Sequence, residues 1–353
     1  MKHQDRIAAL ASGLESAMLV TRLPNLRYLT GFTGSNGFLL AKPSGSAVFV
    51  TDGRYGEIAE GLLADLPDVD LVVYTGDMWE TLKGVMEGHD RISLEAHGVT
   101  WEFVKSMAEK TGIEPIAGPT AVEALRRTKD ASEVVTLKAA ADAGDAAFAA
   151  LSTLVESVVT EAELGWALID AMRRRGGDAA DWEPIVAAGP GASVPHYRSG
   201  DEPIGSGLLL LDYGCVMDGY HSDMTRTVWL EGAPDERMAG IYAAVVEAEQ
   251  AGIDAVAPGV PCDAVDEAVR VVLREHGYEE QFLHSTGHGV GLEIHEQPWL
   301  RRGNQDPLQA GDAITIEPGV YLAGVGGVRI EDMVIVTEGG PVVLTESPKE
   351  FAT

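Results

Sequence analysis

Three histidines fall within twelve residues in His284-Ser285-Thr286-Gly287-His288-Gly289-Val290-Gly291-Leu292-Glu293-Ile294-His295-Glu296, and glycines separate them. Histidine ligates metals and moves protons near neutral pH, and glycine lets backbone approach a ligand closely. A lone histidine would more often be structural, but this density marks a site. The HExxH spacing of a zincin helix is absent. Four carboxylates share the same half of the chain. Asp212 ends the apolar run Gly207-Leu208-Leu209-Leu210-Leu211, and Glu317 follows Ala313-Ile314-Thr315-Ile316. Asp223 lies in His221-Ser222-Asp223-Met224-Thr225-Arg226, and Glu331 in Gly327-Val328-Arg329-Ile330-Glu331-Asp332. An ionised carboxylate in an apolar strand is costly unless paired, hydrogen-bonded or bound to metal. For any one of them a salt bridge or a solvated strand end suffices. Four in repeated positions repel one another and require concentrated positive charge. Two divalent cations supply it, and carboxylates with a histidine suit Mn²⁺, Co²⁺ or Zn²⁺.

These residues recur in order, which predicts how they are positioned. Thr160-Glu161-Ala162-Glu163-Leu164 leads through a helix to Arg175-Gly176-Gly177, as Val260-Pro261-Cys262-Asp263-Ala264 leads to His276-Gly277. After each helix come a histidine-bearing loop, an apolar strand with a carboxylate at its end, and a hairpin with a second carboxylate. His196, Asp212 and Asp223 fill these places in the first half; His288, His295, Glu317 and Glu331 fill them in the second. Such a weak repeat predicts two halves facing each other across one centre. A long Ala-rich helix over 131–156, capped by Asp130 or Ser132, precedes them. Arg173-Arg174-Arg175 ends a helix and caps it.

The first third alternates short apolar runs, at 17–20, 37–41, 46–51, 71–74 and 91–94, with helical stretches at 3–13, 54–65, 77–87 and 100–110. That pattern predicts a small α/β domain over 1–122, with the remaining domain at 123–353. The glycines of Thr30–Gly37 lack the Lys and Ser/Thr of a phosphate loop and predict a turn entering a strand. At 353 residues two domains are expected. Acidic residues outnumber basic ones 55 to 26, for a net charge of −29. That balance disfavours nucleic acid and anionic lipid as partners. No apolar run reaches spanning length, and the Met1–Arg6 start lacks a signal core, so a cytoplasmic setting is expected. Cys215 and Cys262 are expected as buried small residues without a disulfide.

The histidine tract, together with Asp212-Tyr213-Gly214, Ser222-Asp223-Met224-Thr225-Arg226, Ile316-Glu317-Pro318-Gly319 and Val328-Arg329-Ile330-Glu331-Asp332, resembles the proline-peptidase branch of the pita-bread metallopeptidases, which includes aminopeptidase P and prolidase. The resemblance covers the C-terminal two-thirds closely and the first third more loosely. It implies an α/β and α+β chain with a C-terminal pita-bread domain of internal pseudo-twofold symmetry. It further implies metal ligands at Asp212, Asp223, His288, Glu317 and Glu331. Asp223 and Glu331 would bridge two ions, Mn²⁺ first, with Co²⁺ or Zn²⁺ as alternatives. His196, His284, His295, Tyr321 and Arg329 match positions around the substrate. His295 would then steady a developing oxyanion, and Glu317 would carry a proton to the leaving nitrogen. Arg329 would position His295 or substrate, or simply pair with Glu331. The expected reaction is hydrolysis of the bond between a first residue and a following proline, in dipeptides or longer peptides, by a homodimer. Methionine aminopeptidase and creatinase share the fold and are the alternatives, followed by a non-catalytic binding relative. Degraded metal ligands would mark that last case, and here all five are present.

Overall fold

Short runs of Leu, Val, Phe and Ala between polar turns build the sheet of the first unit. The computed structural model describes residues 1–180 and 182–350 and divides the chain into Met1–Arg126 and a second unit beginning at Arg127. The first unit holds a six-stranded sheet, ordered Val69–Tyr74, Ala47–Asp52, Gly37–Ala41, Met18–Val20, Arg91–Leu94 and Glu114–Ala117. Helices His3–Ser12, Gly56–Leu63, Met78–Val85 and Trp101–Thr111 lie where the apolar spacing predicts them. The alternation of types misses three elements: the short helix Ala121–Arg127, and two that contain proline. Pro24 lies in the first turn of helix Leu23–Thr30, where its missing N–H costs no helical bond. Pro115 lies in Glu114–Ala117, the last strand at the sheet edge, where proline is tolerated.

In the second unit Asp130 caps helix Ala131–Ala149, accepting from the N–H groups of Ser132 and Glu133. The single helix expected over 131–156 is in fact two, with Leu151–Ser157 following a break at Ala150. There the backbone takes φ −89°, ψ 0°, and the Ala150 N–H bonds Ala147 O at 3.2 Å, a tightened turn. Phe148 and Leu151 are buried in one core on either side of the break, so the apolar pattern runs through it unmarked.

Strand Gly207–Tyr213 is buried on both faces, which explains its unbroken leucines. Leu209 and Leu211 face a core with helices Ala131–Ala149 and Glu161–Arg173, while Leu208 and Leu210 face another with helices Glu236–Asp254 and Cys262–Glu275. It is the middle strand of a three-stranded antiparallel sheet, between Met224–Leu230 and Ile185–Ala188. The later half supplies a five-stranded sheet, ordered Glu296–Leu300, Gly287–Gly289, Ala313–Ile316, Asp332–Thr337 and Gly340–Val343. It adds the hairpin of Gly319–Leu322 with Gly326–Arg329. A bridge between Thr225 and Glu331 brings the two sheets together. Cys215 and Cys262 are buried and free. No described helix is long and apolar enough to cross a membrane.

Candidate active site

Strand ends and hairpins carry the four predicted carboxylate ligands, and a strand interior carries His288. Asp212 sits near the end of Gly207–Tyr213, in register with Thr225 and Ile185. Asp223 immediately precedes strand Met224–Leu230, and Glu317 immediately follows Ala313–Ile316. Glu331 stands between Arg329 and strand Asp332–Thr337, its N–H bonded to Thr225 O at 3.1 Å. His288 is the middle residue of Gly287–Gly289, where a shift of register between His288 and Gly289 re-aims the side chain. The flanking glycines are obligatory. A Cβ on Gly287 would lie 1.9 Å from Thr315 O, and one on Gly289 would lie 2.1 Å from Gln297 O.

All five residues line one cavity of about 430 Å³, together with His196, His284, His295 and Arg329. Tyr321 stands behind this lining. Its hydroxyl oxygen accepts from Arg329 Nη1 at 2.8 Å and its proton goes to His284 Nε2, also at 2.8 Å. His284 Nδ1 donates in turn to Ser285 O at 2.9 Å, so both ring nitrogens are occupied. Burial, with Arg329 next, pushes the His284 pKa down to about 4. Arg329 pairs with Asp212 at 2.5 Å rather than with Glu331, and it also donates to Thr225 Oγ1 and Pro195 O. His295 lies edge-on to His288 at 4.4 Å between ring centres and is exposed to the cavity.

A metal pair fits this donor set. His288 Nδ1 donates to Gly289 O at 2.9 Å, which leaves the lone pair of Nε2 toward the carboxylates. Nε2 is 3.7 Å from Asp223 Oδ2 and 3.6 Å from Glu317 Oε1, too far for hydrogen bonds. Donor atoms of Asp223, His288 and Glu331 all lie within 4.8 Å of one another. Burial pushes the His288 pKa down to about 3, so the ring is neutral. Burial and Glu331 raise Asp223 well above the carboxylate range, and burial and Asp212 push Glu331 up to about 8. Glu317 is likewise raised, by burial and then Glu331. Four carboxylates thus face one guanidinium, and divalent cations would relieve the imbalance.

Several contributors lacked a signal in their residue type. Thr225 Oγ1 donates to Glu331 Oε2 at 2.7 Å while accepting from Arg329 Nε at 3.0 Å. Trp182, Ile185, Ile294 and Trp299 form the apolar side of the cavity. Behind the site, Arg226 is buried and donates to Thr225 O, Glu331 O and Ser347 O, and it pairs with Asp332 at 2.6 Å. Lys349 joins Asp332 at 2.5 Å to Glu249 at 2.7 Å, so residues 347–349 clasp the two carboxylate-bearing hairpins from outside.

Fold and site together define a metallopeptidase of the pita-bread class. Residues 136–338 match metallopeptidase family M24 and residues 6–128 match the creatinase/prolidase N-terminal domain; the chain belongs to family M24. An uncharacterised peptidase of Bacillus subtilis is 37% identical over 95% of this chain and 94% of its own. The solved Xaa-Pro dipeptidase from Bacillus anthracis superposes with a TM-score of 0.93 at 34% identity, over 99% of both chains. The X-Pro aminopeptidase from Thermotoga maritima superposes with a TM-score of 0.85 at 29% identity, over 96% of this chain and 98% of that one.

Proposed function

We propose that this chain is a dinuclear-metal-dependent Xaa-Pro peptidase that hydrolyses the bond between an N-terminal residue and a following proline. The observation that carries the reading is the unprotonated Nε2 of His288 facing Asp223 and Glu317 at 3.6–3.7 Å, in one cavity with Asp212 and Glu331. Asp212, Asp223, His288, Glu317 and Glu331 would hold two divalent ions, Mn²⁺ first. When bound, such a pair acidifies water and polarises a carbonyl.

The chain's own residues supply the rest. Arg329 orients Asp212 through their salt bridge and fixes Tyr321, which in turn holds His284. With both nitrogens engaged, the His284 ring offers a neutral wall against which a proline ring packs. His295 faces the cavity from beside His288 and donates to the oxyanion as it develops. Glu317 takes a proton from the attacking water and delivers it to the leaving proline nitrogen. His196 contacts substrate from the opposite loop. The support for proline comes from relatives bearing Xaa-Pro names at high coverage. Dipeptides are the favoured substrates, the working protein is a cytoplasmic homodimer, and the N-terminal domain over 1–122 of one subunit limits how far peptide extends beyond proline in the partner's cleft.

Turnover of Ala-Pro, an Ala-Pro-led tetrapeptide, a Met-Ala peptide and creatine, each with and without Mn²⁺, tests the reading. Mn²⁺-dependent release of alanine from the proline substrates alone is the expected result. Turnover of Met-Ala or creatine in preference to both would overturn it, and sedimentation at assay concentration tests the dimer.

A further inference from the structure

The N-terminus of helix Glu161–Arg173 meets a loop that reaches into the cavity. Glu161, in its first turn, is fully buried. A carboxylate in that position must be satisfied by donors. Its Oε1 accepts from the Ala188 N–H at 2.8 Å, and its Oε2 from the Gly200 N–H at 3.3 Å. These two donors stand at opposite ends of the segment 189–199, which carries Pro195 and His196 to the cavity wall. The helix start reinforces the same closure: the Glu161 and Ala162 N–H groups donate to Glu202 O and Gly200 O, both at 3.0 Å. Tyr197, beside His196, has its hydroxyl pushed up to about 12 by burial and then by Glu161. In mid-loop, Arg329 Nη1 donates to Pro195 O at 3.2 Å.

We infer that Glu161 is a positioning residue that clamps the two ends of the 189–199 loop and thereby presents His196 to the substrate. It touches no reacting atom. The inference deepens the Xaa-Pro reading and rests on it for the identity of the substrate. A carboxylate is suited to the task because its two acceptor-only oxygens match N–H groups arriving from both ends. A glutamine of the same shape sets an NH₂ group against one of those donors.

Glu161→Gln in the full-length, Mn²⁺-loaded protein provides the test. KM for Ala-Pro should rise about tenfold, as expected for one lost charge-assisted bond, with kcat changed less than about threefold. Metal content should be unchanged, and amide exchange should speed up within 189–200. In a His196→Ala background the same substitution should add no further rise in KM, because both act through one loop. Additive effects on KM would overturn the inference, as would a global loss of thermal stability without faster exchange in 189–200. Glu161→Asp withdraws the carboxylate by one methylene and carries the same readouts if the Gln variant does not fold. Failure of the unaltered protein to cleave Ala-Pro would overturn the substrate assignment, while exchange in the loop still decides the clamp.

Discussion

Burial opposes charge on His288 and lowers its pKa, while burial and mutual repulsion raise the carboxyls beside it. The two effects oppose each other with pH. The lowered His288 pKa favours the fold as pH rises toward 6.5, whereas the raised carboxyls of Asp223, Glu317 and Glu331 favour it as pH falls. Three carboxyls outweigh one imidazole between about pH 5 and 8. The Glu331 carboxyl, ordinarily near 4.5, is pushed up to about 8 in the fold, so its stabilising contribution is full below about 4.5 and lost as pH rises through 8. The chelated protein should therefore melt at a lower temperature at pH 8 than at pH 5. Mn²⁺ should raise the melting temperature more at pH 8, where fewer protons must be displaced. An equal metal-induced shift at both values would contradict this. His295→Ala should retain metal and fold yet lose about a hundredfold or more in kcat, as expected for a transition-state donor. Metal loss in a folded variant would instead make His295 a ligand. Histidines among glycines and carboxylates in apolar strands were legible in the sequence because their types conflict with their surroundings. The partner of Arg329 was not, since Asp212 lies 117 residues away and no spacing announces the pairing. Thr225 escaped for a related reason: a threonine in a strand is unremarkable until Glu331 is folded against it.

Elements followed their residue patterns wherever one face was plainly apolar. The sheet of the first unit and the doubly buried strand Gly207–Tyr213 were readable for that reason. Prolines hid a helix and an edge strand because their cost depends on position within an element, which composition does not reveal. The break at Ala150 was hidden because alanine suits both helix and tightened turn. The short strand Gly287–Gly289 depends most closely on its glycines. Gly287→Ala drives a methyl into Thr315 O, so it should destabilise the protein by about 3 kcal/mol, the upper range for overpacking. It should also weaken metal binding by displacing His288. Calorimetric melting with and without Mn²⁺ measures both, and a variant with wild-type melting and metal affinity would show that the strand can yield.

At the scale of the whole molecule, contacts from distant parts of the chain converge behind the site. Glu249 from one helix, Asp332 from the second sheet and Lys349 from beyond the last strand share a buried charge cluster, with Arg226 on its other side. Burial and then Asp332 push Glu249 up to about 8, a shift that Lys349 opposes. Lys349→Met should lower stability by about 3 kcal/mol, because it leaves two buried carboxyls without their shared cation. Adding Glu249→Gln should restore part of that loss; an undiminished loss in the pair would assign the effect to packing of the lysine stem. The cluster also has a consequence for the order of events during synthesis. Every proposed ligand, from Asp212 to Glu331, leaves the ribosome before Lys349 does. The hairpins carrying Asp223 and Glu331 can meet earlier, but their outer tie closes only when residues 347–349 have emerged from the exit tunnel. A nascent chain stalled short of them should hold Mn²⁺ more weakly than one from which residues 347–349 have emerged, making closure of this tie a late step in maturation of the centre.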